Sequence, residues 1–241
     1  MGSIHMQLIQ YVVYYIDLYN FFPQISGMAI QPLSQADRAL AFLRERGMAR
    51  SAELTKAGVT ATTVARLKER GLILQLSRGL YQSADSDVQA NHVLAEASKI
   101  APKGVICLVS ALAFHELTDI MPPRVWMAIG SRARKPRVIY PAIEFVRFHE
   151  KVLQSGVETH AIEGVSVQIT NPAKTIVDLF RYRRSEGRRF SKSTGLNVAL
   201  EGMKEALRQR KATPGEISRY AIEARNWKVV EPYLDAMLVN V

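Results

Sequence analysis

The stretch Thr60 to Tyr81, TATTVARLKERGLILQLSRGLY, contains a helix start, a helix stop and a turn between two apolar runs. Thr60 is a capping residue type, because its hydroxyl can accept from a backbone N–H of the first turn. Ala61, Val64 and Leu67 then fall on one helical face, and Gly71 supplies the left-handed conformation that ends a helix. Leu72 to Leu76 and Leu80-Tyr81 flank Ser77-Arg78-Gly79, which predicts a β-hairpin.

Upstream of this stretch, Ser34 followed by Asp37 resembles a capping box with Asp in place of Glu. Ala36, Ala39, Leu40 and Leu43 recur at helical spacing until Gly47. Ser51 is placed to cap a short second helix carrying Leu54 and Ala57 and ending at Gly58. Helix, helix, helix, hairpin is the order of a winged helix-turn-helix, whose third helix enters the major groove while the wing touches the backbone.

If Ala61, Val64 and Leu67 point inward, then Thr62, Thr63, Arg66 and Arg70 point outward, with Thr60 at the helix start. Short hydroxyls reach phosphates or base edges, and Arg pairs with phosphate or binds guanine bidentately. Arg78 stands at the wing tip. Thr60, Thr62, Thr63, Arg66, Arg70 and Arg78 are therefore the predicted DNA-contacting set. A solvated basic helix face is the plain alternative for any one of these arginines.

The charge of the chain favours the DNA reading. Its 241 residues hold 32 Lys+Arg against 22 Asp+Glu, a net charge of +10. Such a surplus steers polyanions to the surface. Residues 34–84 hold nine bases against four acids, about a fifth of the chain with much of the excess. With 48% hydrophobic and 22% charged residues, the composition excludes intrinsic disorder and an integral membrane protein. The lone Cys107 excludes an intramolecular disulfide framework and fits a reducing cytoplasm. Leu8 to Phe22 (LIQYVVYYIDLYNFF) is too short and too polar to span a membrane. Neither Lys nor Arg precedes it, which argues against a secretory signal. It is expected to dock as a helix or strand on the body or on another subunit.

After the polar break Ser83 to Asp87, Val88 to Ala101 reads as a helix, and Val105 to Val109 as a buried strand containing Cys107. Ser110 is expected to cap a helix over Ala111 to Leu117. Strands are expected at Arg124 to Ile129, Arg137 to Tyr140, Ile143 to His149, Val157 to Ile162 and Val165 to Ile169. Glu163-Gly164 is the turn signal between the last two. Helices follow beyond Pro172, around Leu196 to Leu207, and from the Thr213-Pro214-Gly215-Glu216 capping box. Arg132, Arg134, Lys135 and Arg137 crowd one loop, and Arg181, Arg183, Arg184, Arg188, Arg189 and Lys192 a second. Each reads either as a solvated loop or as an answer to an anionic partner.

The expected fold is therefore α+β. An N-terminal extension (1–33) precedes a winged helix-turn-helix (34–84). A larger α+β domain (88–241) follows, with a mixed or antiparallel sheet and a helical C-terminal tail. No catalytic constellation assembles. His115-Glu116 lacks the second His of a zinc protease, since Asp119 stands there, and no phosphate-binding glycine motif occurs. His149 and His160, with Glu144, Glu150 or Glu158, read as edge residues meeting by chance. Asp178 has no carboxylate partner by spacing. No catalytic residue, cofactor or metal is expected.

Arg78-Gly79-Leu80-Tyr81, closing a winged helix-turn-helix, resembles the AbiEi-type antitoxin family, the transcriptional regulators of type IV toxin–antitoxin modules. Ser110 to Thr118 (SALAFHELT), Met121 to Ala128 (MPPRVWMA) and Pro172 to Leu179 (PAKTIVDL) are similar to its recurrent downstream segments, in order and spacing. The resemblance covers about Leu33 to Asp178. It implies an autorepressor that binds inverted repeats in double-stranded DNA upstream of its own operon. It also implies a C-terminal domain that counteracts a nucleotidyltransferase-type toxin without a stable complex. The implied DNA-reading helix is Thr60 to Arg70, and the wing centres on Arg78. The aromatic segment near the N-terminus departs from the family pattern, which starts near the first helix, so a mis-set start or an added segment is expected there. Two other readings stay open: a winged-helix regulator with a ligand-sensing C-terminal domain, and a DNA-processing enzyme with a diverged nuclease domain. The oligomeric state stays open too, a monomer binding DNA cooperatively being one option.

Overall fold

Three short helices come first, each stopped where a glycine takes a positive φ. They are α1 (Gln35–Arg46) before Gly47, α2 (Ser51–Lys56) before Gly58 and α3 (Ala61–Glu69) before Gly71. The computed structural model describes residues 33–182 and 195–238, and Gln35–Val241 forms one compact unit. The aromatic segment Leu8 to Phe22 and all of the second basic run except Arg181 lie outside the described residues.

A strand absent from the sequence reading, β1 (Met48–Arg50), lies between α1 and α2. It pairs antiparallel with β3 (Leu80–Ser83), which also pairs antiparallel with β2 (Ile73–Ser77), in the order β1-β3-β2. Three residues are too few to carry a period of two. The winged helix-turn-helix is thus formed as expected, with a third strand behind the hairpin. Arg50, not Ser51, caps α2: its N–H donates to Glu53 Oε2 at 2.7 Å, while the Ser51 N–H donates to Gly79 O at 2.9 Å.

The remaining elements are α4 (His92–Ile100), β4 (Val105–Ile106), α5 (Leu108–Phe114), β5 (Val125–Gly130), β6 (Ile143–Phe148), α6 (Glu150–Gln154), β7 (Val157–Ile162), β8 (Val165–Thr170), α7 (Pro172–Tyr182), α8 (Leu196–Arg208), α9 (Pro214–Glu223) and α10 (Trp227–Leu238). Five strands form one mixed sheet, β6-β5-β4-β8-β7. The β5–β6 and β4–β8 pairs are parallel, and the β4–β5 and β7–β8 pairs antiparallel.

Three expectations fail here. The run Val105 to Val109 is strand only to Ile106, and α5 begins at Leu108 with Cys107 as its N-cap. The run is buried throughout, so its apolarity does not distinguish the two states. Ser110 lies inside that helix and ties it to the sheet, accepting from Trp126 N at 2.9 Å. Arg137 to Tyr140 forms no strand, because Pro136 and Pro141 bracket it without donors for a ladder.

Apolar residues form three clusters. One fills the winged unit, with Ala39, Leu43, Leu54, Val64, Leu67 and Ile73. Another unites Met48 and Leu80 of the small sheet with Ala97 of α4 and Ile106, Met127 and Val167 of the large one. The third lies beneath α5, α7, α8 and α9, around Cys107, Phe180 and Met203.

The two sheets also meet through backbone. Glu163 and Gly164 form the β7–β8 turn with φ of +49 and +73°. A Cβ at Gly47 would sit 1.6 Å from Glu163 O, and one at Gly164 would sit 2.9 Å from Arg46 C. Only paired glycines allow this approach.

Gly47→Ala therefore combines a left-handed backbone with a clash, and is expected to cost on the order of 3 kcal/mol, lowering the melting temperature by about 6–12 °C. Gly71→Ala has the same backbone strain (φ +69°) but no neighbour within 4 Å, and is expected to cost about 1–2 kcal/mol. Equal losses in calorimetry would refute the close approach. Val64→Asp places an unpaired charge at a side chain only 7% exposed, and loss of the winged unit's secondary structure in circular dichroism is expected.

Candidate nucleic-acid interface

The start of α3 is fixed by a small hydroxyl network. Thr60 caps the helix, accepting from Thr63 N at 3.3 Å. Both hydroxyls donate to Gln35 Oε1 at 2.9 Å, and Thr60 N donates to the same oxygen at 3.1 Å. Gln35, the first residue of α1, thus orients α3, a link across 25 residues that no local pattern announces.

Val64 and Leu67 turn this helix into the core. Ala61, expected on the buried side, is exposed, since the apolar contact begins a turn later. Thr62, Arg66 and Arg70 lie at intervals of four on the exposed face. Thr63 is half-buried and committed to Gln35. Of the six predicted residues, Thr60 and Thr63 therefore serve as the cap, and Thr62, Arg66, Arg70 and Arg78 face solvent.

The wing turn is held from below. Gly79 has φ +70°, its carbonyl accepts from Ser51 N, and a Cβ there would come within 3.0 Å of Ser51 Oγ. Lys68 Nζ donates to Gln75 Oε1 at 2.8 Å, linking α3 to β2. Among the described residues, the side chains of Arg66, Arg70 and Arg78 have no hydrogen-bonding or ionic partner. Arg44–Asp85 and Arg208–Glu205, by contrast, pair on the surface.

Beside the wing, Arg78 and Arg50 line an open cleft of about 900 Å³ together with Lys135, Arg137, Ile139 and Tyr140 of the β5–β6 loop. The base of that loop is stapled by Arg147, whose Nη1 donates to Gly130 O, Ser131 O and Ala133 O at 3.3, 2.8 and 2.9 Å. A second depression, of about 320 Å³, is lined by Arg44, Gln82, Asp85, Gln89 and Glu163. Most of its charges are answered: Arg44 binds Asp85, and Glu163 accepts from Gln89 N and lies 2.8 Å from His92 Nδ1.

Elsewhere, titratable groups are structural. Asp178 pairs with Lys174 one turn earlier on α7, and both are sealed from solvent. Sequence reading looked for a second carboxylate and missed the Lys at i−4. Burial pushes the Asp178 carboxyl up, against the pull of Lys174. A carboxylate beside a lysine does occur, then, but without access for substrate. No group of three or more His, Cys, Asp or Glu able to hold a metal occurs among the described residues. His115 Nε2 donates to Thr170 O at 2.8 Å, and burial lowers its pKa despite that bond. His160 lies 3.4 Å from Glu158, while His149 caps α6. Cys107 is buried, and its thiol is pushed well up by desolvation. No described helix is long and apolar enough to cross a membrane.

Residues 37–84 match the family model described as transcriptional regulator, AbiEi antitoxin. That span covers the winged unit from α1 through β3. No curated protein sequence matches the chain. Among solved structures, the crystal structure of the RV2827C protein from Mycobacterium tuberculosis is similar at a TM-score of 0.54 and 12% identity, over 86% of this chain and 78% of that one. At that identity the likeness concerns fold alone, over a span longer than the winged unit.

One buried group carries a measurable signature. Both carboxyl oxygens of Glu96 on α4 lack a hydrogen-bond partner, and burial raises its pKa, with His92 opposing. The folded state therefore keeps this proton to higher pH than the unfolded chain does. The stability associated with it is fully present below the ordinary Glu range and is lost as pH rises through the raised value. Glu96→Gln is expected to melt above the unaltered protein at about pH 7 and to converge with it near pH 4. A difference independent of pH would contradict this.

Proposed function

We propose that a chain whose residues 37–84 are of the AbiEi antitoxin transcriptional-regulator family acts as a DNA-binding autorepressor and antitoxin. The observation that carries the reading is the set of unanswered cations on the winged unit. Arg66 and Arg70 project from the exposed face of α3, and Arg78 from the wing, with no internal counter-charge among the described residues. Like charges held this way repel one another until a polyanion neutralises them. Duplex DNA offers phosphates to all three and base edges to α3. Thr62 lies on the same face as Arg66 and Arg70, while Thr60 and Thr63 contribute by setting the start of the helix.

In this reading the winged unit binds inverted repeats upstream of the protein's own operon. Phosphate neutralisation supplies most of the affinity, and α3 selects the sequence. The second domain counteracts a nucleotidyltransferase-type toxin without a lasting complex. The protein works in the cytoplasm without a cofactor, as a regulator rather than an enzyme.

Titration of the protein's own upstream DNA in a gel-shift or anisotropy assay tests the reading. Binding to an inverted repeat, weakening steeply with salt, is expected. Arg66→Ala and Arg78→Ala are each expected to weaken it about 5- to 100-fold. Binding indifferent to salt, or absent from every inverted repeat, would overturn it.

A further inference from the structure

We propose that the free edge of β7 pairs with the same edge of a second copy of this chain, joining two five-stranded sheets about a two-fold axis at Thr159. The proposal stands apart from the DNA reading. β7 ends the sheet order, and β8 returns from it through the turn Glu163-Gly164. Ile162 and Val165, paired next to that turn, exchange their backbone bonds. The alternation of an antiparallel ladder then turns the backbone groups of Glu158 and His160 toward β8. Those of Val157, Thr159 and Ala161 point the other way, off the sheet. Among the described residues they have no partner. In an antiparallel pairing, Thr159 meets its own copy and Val157 meets the second copy's Ala161, each pair exchanging both backbone bonds.

The other strand edges carry protections against such pairing. β1 has three residues, and Arg50 commits its N–H to Glu53 and its Nε to Lys99 O. β2 is bulged between Gln75 and Ser77. On β6, the Arg147 carbonyl accepts from Tyr182 Oη at 3.2 Å. Shortness, bulges and covering side chains all blunt an edge. β7 runs six residues in unbroken register with β8 and has none of these among the described residues. Charges also blunt an edge, but only where a second copy sets like against like. Here Glu158 and His160 stand on one face, one residue either side of Thr159. An antiparallel copy therefore sets each Glu158 opposite the other chain's His160, as hydrogen-bond partners and, when the ring is protonated, as ion pairs. Within one chain His160 is incompletely answered. Its Nε2 is shut from solvent without a hydrogen-bond partner, and Glu158 Oε2 lies 3.4 Å away. A second copy brings another carboxylate across from that ring. Thr159 and Ala161 are exposed. Under the proposed function, a two-fold dimer also supplies one winged unit to each half of an inverted repeat.

Sedimentation equilibrium and light scattering on the full-length chain, over about 1–100 μM, test the pairing. A monomer–dimer equilibrium is expected. Thr159→Pro removes the N–H at the centre of the pairing and none from the β7–β8 ladder, and proline is tolerated at such an edge position. It is expected to abolish the dimer and keep the melting temperature. Glu158→Lys sets a cation against His160 and is expected to weaken dimerisation about 10-fold or more. E158K/H160E restores opposite charges in reversed order and is expected to regain the dimer. A chain that stays monomeric at the highest concentration overturns the proposal. So does a folded dimer that T159P and E158K both leave intact, because another surface then holds it. Where T159P lowers the melting temperature, the charge variants decide, and an unchanged E158K dimer overturns the pairing. Operator binding is read separately by gel shift. Its absence in a chain that dimerises through β7 overturns the DNA reading alone.

Discussion

The fold turns on a contact between two pieces of backbone. The turn Glu163-Gly164 sits against the end of α1 at Gly47 so closely that neither glycine has room for a β-carbon. The Glu163 side chain, only 4% exposed, then accepts from Gln89 N at 2.7 Å and from Gln82 Nε2 at 3.3 Å, and sits 2.8 Å from His92 Nδ1. One carboxylate thus collects the small sheet, the connecting segment and the start of α4. Burying it without those partners would be costly. With them, the winged unit, α4 and the large sheet hold one arrangement, and the wing stands beside the β5–β6 loop.

Buried and exposed cations are treated differently. Cations inside or near the core are answered: Lys174 by Asp178 and Lys99 by Glu53. Such pairs hold position more than they add stability, since desolvation offsets much of their attraction. The arginines of α3, the wing tip and the β5–β6 loop have no such answer among the described residues. A net charge of +10 says little by itself; what is particular is that exposed arginines without a side-chain partner stand on α3, at the wing tip and on the neighbouring loop.

Local signals were legible where a single residue type decides the backbone. Gly47, Gly58 and Gly71 end helices, Thr60 caps α3, Thr213 and Glu216 form a capping box, and Glu163-Gly164 turns a hairpin. The winged architecture follows from those residues alone. What escaped was set at a distance. Gln35 reaches Thr60 and Thr63, Ser110 leaves its expected cap to bind Trp126, and β1 exists because β3 is there to pair with it. The Val105 to Val109 run failed because full burial erases periodicity, and Arg137 to Tyr140 failed because its flanking prolines outweigh its apolar residues. For the interface, residue types pointed to the face of α3 and the wing, and marked the basic loop 132–137 without placing it beside the wing. That juxtaposition needs the large sheet, whose β5 and β6 carry the loop.

The cluster that joins Met48 and Leu80 to Ile106, Met127 and Val167 has a consequence for how the molecule fails. A core common to reader and body links their unfolding equilibria, so the described unit should melt in one cooperative step rather than in halves. Heat, or a destabilising change in either sheet, then opens the winged unit and the second domain together. Under the proposed function, repression and antidote would be lost at the same threshold, with no partly working survivor to separate the two.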